Sequence, residues 1–328
     1  MSNEENALRQ RSFGSAMSKM GNLLSLIIAL IILSVVLSFL SPYFMSFENW
    51  MNILLASAIT LIRASGATIA MITGGMDLSQ NSVGAFAGVV CITLSVQAGV
   101  PLPVLILLSI AIGAGFGAIN STLIAVCKIN PVITTIGTMQ IFRGFAWIYT
   151  DKTVQSTDPD VIFMGRGRIA DAVPVSVIIA VGVMLLAWFI LKYTRYGRKI
   201  YMVGGNENAS KLSGINSDKV KFIAYLICGI CSGFAGFLVA GQVGAALPQS
   251  GNGQEMTTIS AIVLGGLSLQ GGKGSMWGTL LGVIILQVVA NGLTLMSVNE
   301  YVQMVVTGSI LILAVLIDVI RSGALKKQ

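Results

Sequence analysis

Histidine is missing from all 328 residues of this chain. With it go His-based acid–base catalysis, histidine-dependent triads and the commonest metal ligand. Charge is scarce too: 10% of the residues are Asp, Glu, Lys or Arg, against 55% hydrophobic, where a soluble domain carries about 25% charged. The mean hydropathy is +0.84. A deficit spread along the whole chain implies many membrane spans rather than one apolar core. Cysteine is sparse, and Cys91, Cys127, Cys228 and Cys231 all lie in or beside apolar segments. Cys228 and Cys231 form a CxxC inside an apolar run, where the spacing puts both on one helix face. Zinc or redox chemistry there would lack water and further ligands, so both are expected to pack and no metal site is expected.

What is present is a succession of apolar runs. Residues 23–40 form a first span, kept as an anchor because SPYF rather than a small-residue cleavage site follows. Further spans are expected at about 53–72, 82–98, 102–127, 131–149, 174–192, 219–241, 257–270, 276–296 and 302–320. The fold class is therefore an all-α polytopic membrane bundle of about ten transmembrane helices. A polar lead-in (1–22) precedes the membrane domain (23–321), which carries an outer loop (150–172) and a basic loop (193–218), and a short tail (322–328) follows.

Charge sets the orientation. Arg9, Arg11, Lys19, Lys128, the basic residues of 192–221, Lys273, Arg321, Lys326 and Lys327 fall on one side, against Lys152, Arg166 and Arg168 on the other. The positive-inside rule makes the first side cytoplasmic, with both termini there, and accounts for the net charge of +7 without nucleic acid. An odd number of spans would put the basic tail outside.

Several motifs weigh against a nucleotide site in this chain. GAGFGA (Gly113, Gly115, Gly117) lacks dinucleotide-binding spacing and no strand precedes it, so close helix packing is expected. The pairs Gly229/Gly233 and Gly278/Gly282 read the same way. GGKGS (271–275) fails as a phosphate loop, because Leu267 stands where its first glycine belongs and Gly274 where Ser or Thr would hold magnesium.

Polar residues inside the spans point instead to a pathway. Arg63, in the middle of the second span, must face the bundle interior with a partner. It cannot pair with Asp77 along one helix, since fourteen residues separate them by about 21 Å. In the fifth span Met139, Phe142 and Ala146 fall on an apolar stripe, while Gly137, Gln140 and Gly144 lie opposite, flanked by Arg143. ITGGMDLS (72–79) and VLGGLSLQ (263–270) repeat a double glycine after an apolar run, and matched breaks of this kind point to a translocation site. The candidate pathway residues are Arg63, Gly74, Gly75, Asp77, Ser79, Gln140, Arg143, Gly265 and Gly266.

The basic loop carries a second set. Tyr201-Met202-Val203 offers an apolar anchor and Gly204-Gly205 a turn. Asn206 is placed to cap a helix from Glu207 to Leu212 that Gly214 ends.

GGMDLSQNSVGA (74–85), NPVITTIGTMQIFRG (130–144), YGRKIYMVGGNENASKLSGIN (196–216) and AIVLGGLSLQGGKGSMWGTLLG (261–282) together resemble the permease subunit of sugar ABC importers of the ribose, xylose and allose type. The resemblance runs from about Ser41 to Asp318. It implies a bacterial inner-membrane protein working as two permeases per complex, with cytoplasmic ATPases and an extracytoplasmic sugar-binding protein. ATP and magnesium would sit on the ATPase, with no cofactor on this chain. It also makes the basic loop the ATPase contact, with Gly197, Arg198, Tyr201, Gly204, Gly205, Asn206, Glu207 and Gly214 as its coupling residues. Gln80-Asn81-Ser82 and Arg63 depart from the usual family pattern. The alternative class, an ion-coupled secondary transporter of a small polar solute, needs an acidic or histidine residue within the membrane, and Asp77 is the only candidate read there.

Overall fold

A computed structural model of the chain describes the backbone of residues 3–322 and the side chains of residues 21 and 23–316. The basic side chains expected of the lead-in and tail lie outside those described. The helices are α1 (Asn3–Leu40), α2 (Phe47–Ile72), α3 (Gln80–Ala98), α4 (Leu102–Ser121, continued by a π-helical turn, Thr122–Val126), α5 (Pro131–Tyr149), α6 (Pro159–Arg166), α7 (Val175–Tyr193), α8 (Arg195–Gly205), α9 (Glu207–Leu212), α10 (Ser217–Val243), α11 (Glu255–Leu264), α12 (Met276–Leu295) and α13 (Glu300–Ser322). Two antiparallel ladders of two-residue strands complete the fold: Val154–Gln155 with Ala245–Ala246, and Arg168–Ile169 with Val173–Pro174.

Among the described residues, 7 helices are long and apolar enough to cross a membrane: the apolar part of α1, then α2, α3, α4 with its π turn, α7, α10 and α12. Helix α5 has 19 residues, about 28 Å at 1.5 Å each, but Thr134, Thr135, Thr138, Gln140 and Arg143 dilute its apolar character. All the expected spans are helical. One changes character. The expected crossing at 257–270 is a helix of only 10 residues, about 15 Å, or half the hydrocarbon thickness.

The reason is local. After Leu264 the chain breaks at Gly265–Gly266, where Gly266 adopts φ +87°, a conformation a Cβ disfavours. The missing length is supplied by the non-helical residues before α11. Ala245–Ala246 pair with the 150–172 loop at one end of the bundle, and Gly251 reaches the side chain of Asn81 inside it. Irregular backbone is tolerated at such depth only within protein. The chain therefore still changes sides between α10 and α12.

Helix α10 is the axis of the bundle. Its glycines let backbones meet: Gly229 and Gly233 lie against Gly113 of α4, Gly236 against Gly84 of α3, and Cys228 and Cys231 against Gly66 of α2. Small residues permit this approach where lipid supplies no hydrophobic drive between helices. Gly115 of the GAGFGA run faces open space and takes no part. Gly278 and Gly282 of α12 pack on Gly265 and Ala261 of α11. Helix α1 lies at the edge, touching α12 through Leu37 and Gly292 while most of its apolar side chains stay exposed.

Candidate functional site

Two polar assemblies stand out, one inside the bundle and one at the end that carries the basic loop. The interior assembly begins where α2 stops. Residues 73–79 run back into the bundle without helical structure, and α3 starts at Gln80. Asp77 organises this return: its Oδ1 accepts from the Ser79 amide (2.8 Å) and hydroxyl (2.6 Å). Asn120 of α4 donates to the Ser79 hydroxyl at 2.8 Å, and Gln80 donates to the Asp77 carbonyl at 2.7 Å. Gly75 is hemmed in by the Tyr225 hydroxyl and the Pro131 ring, so any Cβ there would clash. Asp77 is spent on holding the loop. That weakens it as an ion-coupling group.

Arg143 of α5 donates from Nη1 to the carbonyls of Pro248 and Ser250, both at 2.7 Å, and its Nη2 lies 3.8 Å from Glu255 Oε1. Asn81 ties the same segment, donating to the Gly251 carbonyl at 2.9 Å. Arg63 is buried in α2, attracted by Glu255 and repelled by Arg143. Glu255 is thus the acid whose charge acts on Arg63, although its ion pair is with Arg143, and Asp77 is not the only acid within the membrane region. Glu255 escaped the sequence reading because it lies just before the expected span at 257–270. The signal was an acid opening an apolar run in a chain with an unmatched buried arginine.

The expected pathway residues are not all brought together. Arg143 reaches Glu255 with Arg63 in electrostatic range of both, and Asp77 joins Ser79 beside Asn120, another residue the sequence reading missed. On α5 the buried face is Thr134, Thr135, Thr138, Phe142, Arg143 and Ala146, whereas Gln140 and Gly137 point outward. The apolar stripe is packed at Phe142 and Ala146, against neighbours rather than open to the surface. The threonines rotate the interior face away from Gln140.

The non-helical segments that follow the two double-glycine breaks meet at the basic end of the bundle. Gly271 packs against Gly74, and the Gly272 amide donates to the Ile72 carbonyl at 2.8 Å. The positive φ falls on Gly74 in one break and Gly266 in the other, so the repeat is not matched residue for residue. Helix α8 docks on this junction. Gly204 abuts the Ile72 carbonyl and the Gly272 amide, and Tyr201 donates to the Gly274 carbonyl at 3.0 Å. The buried anchors of α8 are Ile200 and Val203, while Met202 is exposed. Gly197 packs against the end of α7, and Arg198 is exposed.

Gly204 and Gly205 do not form the expected turn. Both belong to the last turn of α8, and the chain breaks at the extended Asn206, whose side-chain Oδ1 caps α9 by accepting from the Ala209 amide at 2.9 Å. Helix α9 spans Glu207–Leu212, and Gly214 follows at φ +77°, as the sequence anticipates. Glu207 bridges Lys211 (2.8 Å) and Lys221 at the start of α10 (2.5 Å). These lysines hold its carboxyl down, to about 2. Lys128 pairs with Asp218 on the same end of the bundle.

Residues 49–315 match the family described as branched-chain amino acid transport system / permease component. The chain is similar to the ribose import permease protein RbsC of Escherichia coli strain K12, 39% identical over 297 residues, 89% of this chain and 92% of that protein. RbsC of Bacillus subtilis strain 168 is 38% identical over 309 residues, 93% of this chain and 94% of that protein. The D-allose transport system permease protein AlsC of E. coli K12 is 34% identical over 281 residues, 85% and 86% of the two chains. No solved structure matches the chain. Permeases of this family are the non-catalytic membrane component, act with ATPase and binding-protein partners, and normally bind no cofactor. The chain belongs to this permease family and is a multi-pass membrane subunit of a bacterial ABC importer.

Proposed function

We propose that this chain forms the pathway for a monosaccharide, ribose-like by its relatives, delivered by an extracytoplasmic binding protein and driven by ATP and magnesium held on a cytoplasmic ATPase. Two permease copies, or this chain with a paralogue, make the complete pathway. The observation that carries the reading is the docking of α8 on the junction of the two glycine breaks. A push on α8 and α9 is passed by backbone contact at Gly204 to Ile72, which ends α2, and to Gly272, inside the broken segment between α11 and α12. Packed elements of this kind shift as rigid pieces between discrete states. Gly197, Arg198, Tyr201, Gly204, Asn206, Glu207 and Gly214 are then the coupling set, with Gly205 beside them facing open space at its Cβ position. Arg63, Gly74, Gly75, Asp77, Ser79, Gln140, Arg143, Gly265 and Gly266 are the pathway set, with Glu255 added. Gln140, which points outward, reaches the pathway only if the second copy faces α5.

Sugars are uncharged and strongly hydrated, so a pathway must offer hydrogen bonds without holding them tightly. The mostly neutral polar groups around Ser79, Asn81, Asn120 and Thr135 suit that task. The test is uptake by vesicles carrying this chain. Import of D-ribose that requires the ATPase, the binding protein and ATP is the expected result, and import driven by an ion gradient alone would replace the reading with a secondary transporter.

A further inference from the structure

In an interior whose polar groups are mostly neutral, one buried ion pair has a second buried arginine within electrostatic range. Glu255 Oε1 lies 3.8 Å from Arg143 Nη2, with the two side chains 10% and 11% exposed. Arg63, 6% exposed, lies within electrostatic range of the same carboxylate. Arg63 Nε, Arg143 Nη2 and Glu255 Oε1 find no hydrogen-bond partner among the described residues. Burying such groups with their bonding capacity unused is costly. Arg143 Nη1 is already committed to the Pro248 and Ser250 carbonyls. Arg143 and Glu255 attract one another at 3.8 Å without a hydrogen bond, so the cluster presents two cationic donors and one anionic acceptor whose hydrogen bonds are still unmade.

The mixed signs restrict what could complete it. A carboxylate or phosphate ligand would meet Glu255, and a cation would meet two guanidiniums. A hydroxyl accepts from a guanidinium and donates to a carboxylate at once, so a neutral compound bearing several hydroxyls satisfies all three. We propose that Arg63, Arg143 and Glu255 form a hydroxyl-binding subsite in the pathway, and that Glu255 is the residue that excludes anionic sugars. This rests on the importer reading above. Asn81, which like Arg143 donates to a carbonyl of the 247–254 segment, extends the subsite with its unpartnered Oδ1.

Saturation-transfer NMR on the purified permease–ATPase complex, without binding protein, tests this with a mixture of D-ribose and D-ribonate. Wild type is expected to transfer saturation to ribose and not to ribonate. Glu255→Gln keeps the shape and removes the negative charge, and is expected to raise the ribonate signal about tenfold, equivalent to ~1.4 kcal/mol. Arg63→Met is the second variant, expected to lower the ribose signal while the complex remains assembled. Equal signals from the two compounds in wild type, or an unchanged ribonate signal in an assembled Glu255→Gln complex, overturns the filter. An unchanged ribose signal in Arg63→Met overturns the subsite. Should either variant fail to assemble, the wild-type contrast and the other variant decide. Uptake by the wild-type complex in proteoliposomes separates the two ideas: ATP-driven ribose import beside failed NMR contrasts removes the subsite alone, whereas no ATP-driven import removes the importer reading.

Discussion

Gly204 rests directly on the carbonyl of Ile72, with no room for even a methyl group between them. Its neighbour Gly205 has nothing within 4 Å of where a Cβ would stand. Two adjacent glycines in one helical turn thus carry different constraints. Gly204→Ala is expected to push α8 off the junction at a cost of about 1–3 kcal/mol, the usual penalty of overpacking, and so to lose ATPase association or sugar-stimulated ATP hydrolysis while still inserting. Gly205→Ala is expected to keep both. Co-purification with the ATPase and hydrolysis assays compare the two variants. Equal behaviour would remove the Gly204 contact as the route of coupling.

The buried arginines should differ in the same way. Removing Arg63 leaves Glu255 still facing Arg143, so Arg63→Met is expected to cost about 1–2 kcal/mol, an ordinary substitution. Removing Arg143 also releases the Pro248 and Ser250 carbonyls, and breaking a buried pair costs about 3–5 kcal/mol. Thermal unfolding of the purified protein in detergent should rank Arg143→Met well below Arg63→Met. The reverse order would mean that Arg63, not Arg143, is the main partner of Glu255.

On the opposite end, Arg168 grips Glu48 at the start of α2 with two hydrogen bonds, at 3.0 Å and 2.5 Å. The sequence alone suggests that Arg166 and Arg168 act together in docking the binding protein, through complementary charge. The structure separates them: Arg166 is exposed at the end of α6, and Arg168 is occupied. Arg166→Glu should weaken binding-protein docking most at low salt, where charges are least screened. Arg168→Glu should instead be repaired by a compensating Glu48→Arg. Surface plasmon resonance at two ionic strengths reads both, and docking insensitive to Arg166 would take the loop out of the interface.

Composition made the membrane bundle legible, because apolar runs with few charges have no other good solvent. The cap at Asn206 was equally legible, since a capping side chain acts within three residues of itself. The short reach of α11 was not: its apolar run continues through Leu267 and Leu269, and only the glycine break and its packing on α12 show where the helix ends. Nor was Glu255, whose role depends on residues distant in sequence on α2 and α5. Hydropathy reports what surrounds a segment on average. It does not report which side chains three separate helices bring to one point.

The last prediction concerns α9. Glu207 accepts from Lys211 on its own helix and from Lys221 on α10, so it fastens the short helix to the bundle. Those contacts lower its carboxyl from 4.5 to about 2. A carboxyl depressed in the folded state stabilises it fully above its unfolded value and loses that contribution as pH falls toward the folded one. The fastening should therefore hold above pH 4.5 and fade between there and about 2. Solvent screening keeps the effect modest, because Glu207 is one-third exposed (33%). A spin label at Leu212→Cys, on the most outward side chain of α9 (91% exposed), in a background lacking exposed Cys127, reports the helix's mobility. Mobility should rise across that window in the parent and be high already at neutral pH in Glu207→Gln, with little further change on acidification. Matching profiles in the two proteins would show that the lysine pair does not hold α9, leaving the Asn206 cap and the contact of α8 with Ile72 to position it.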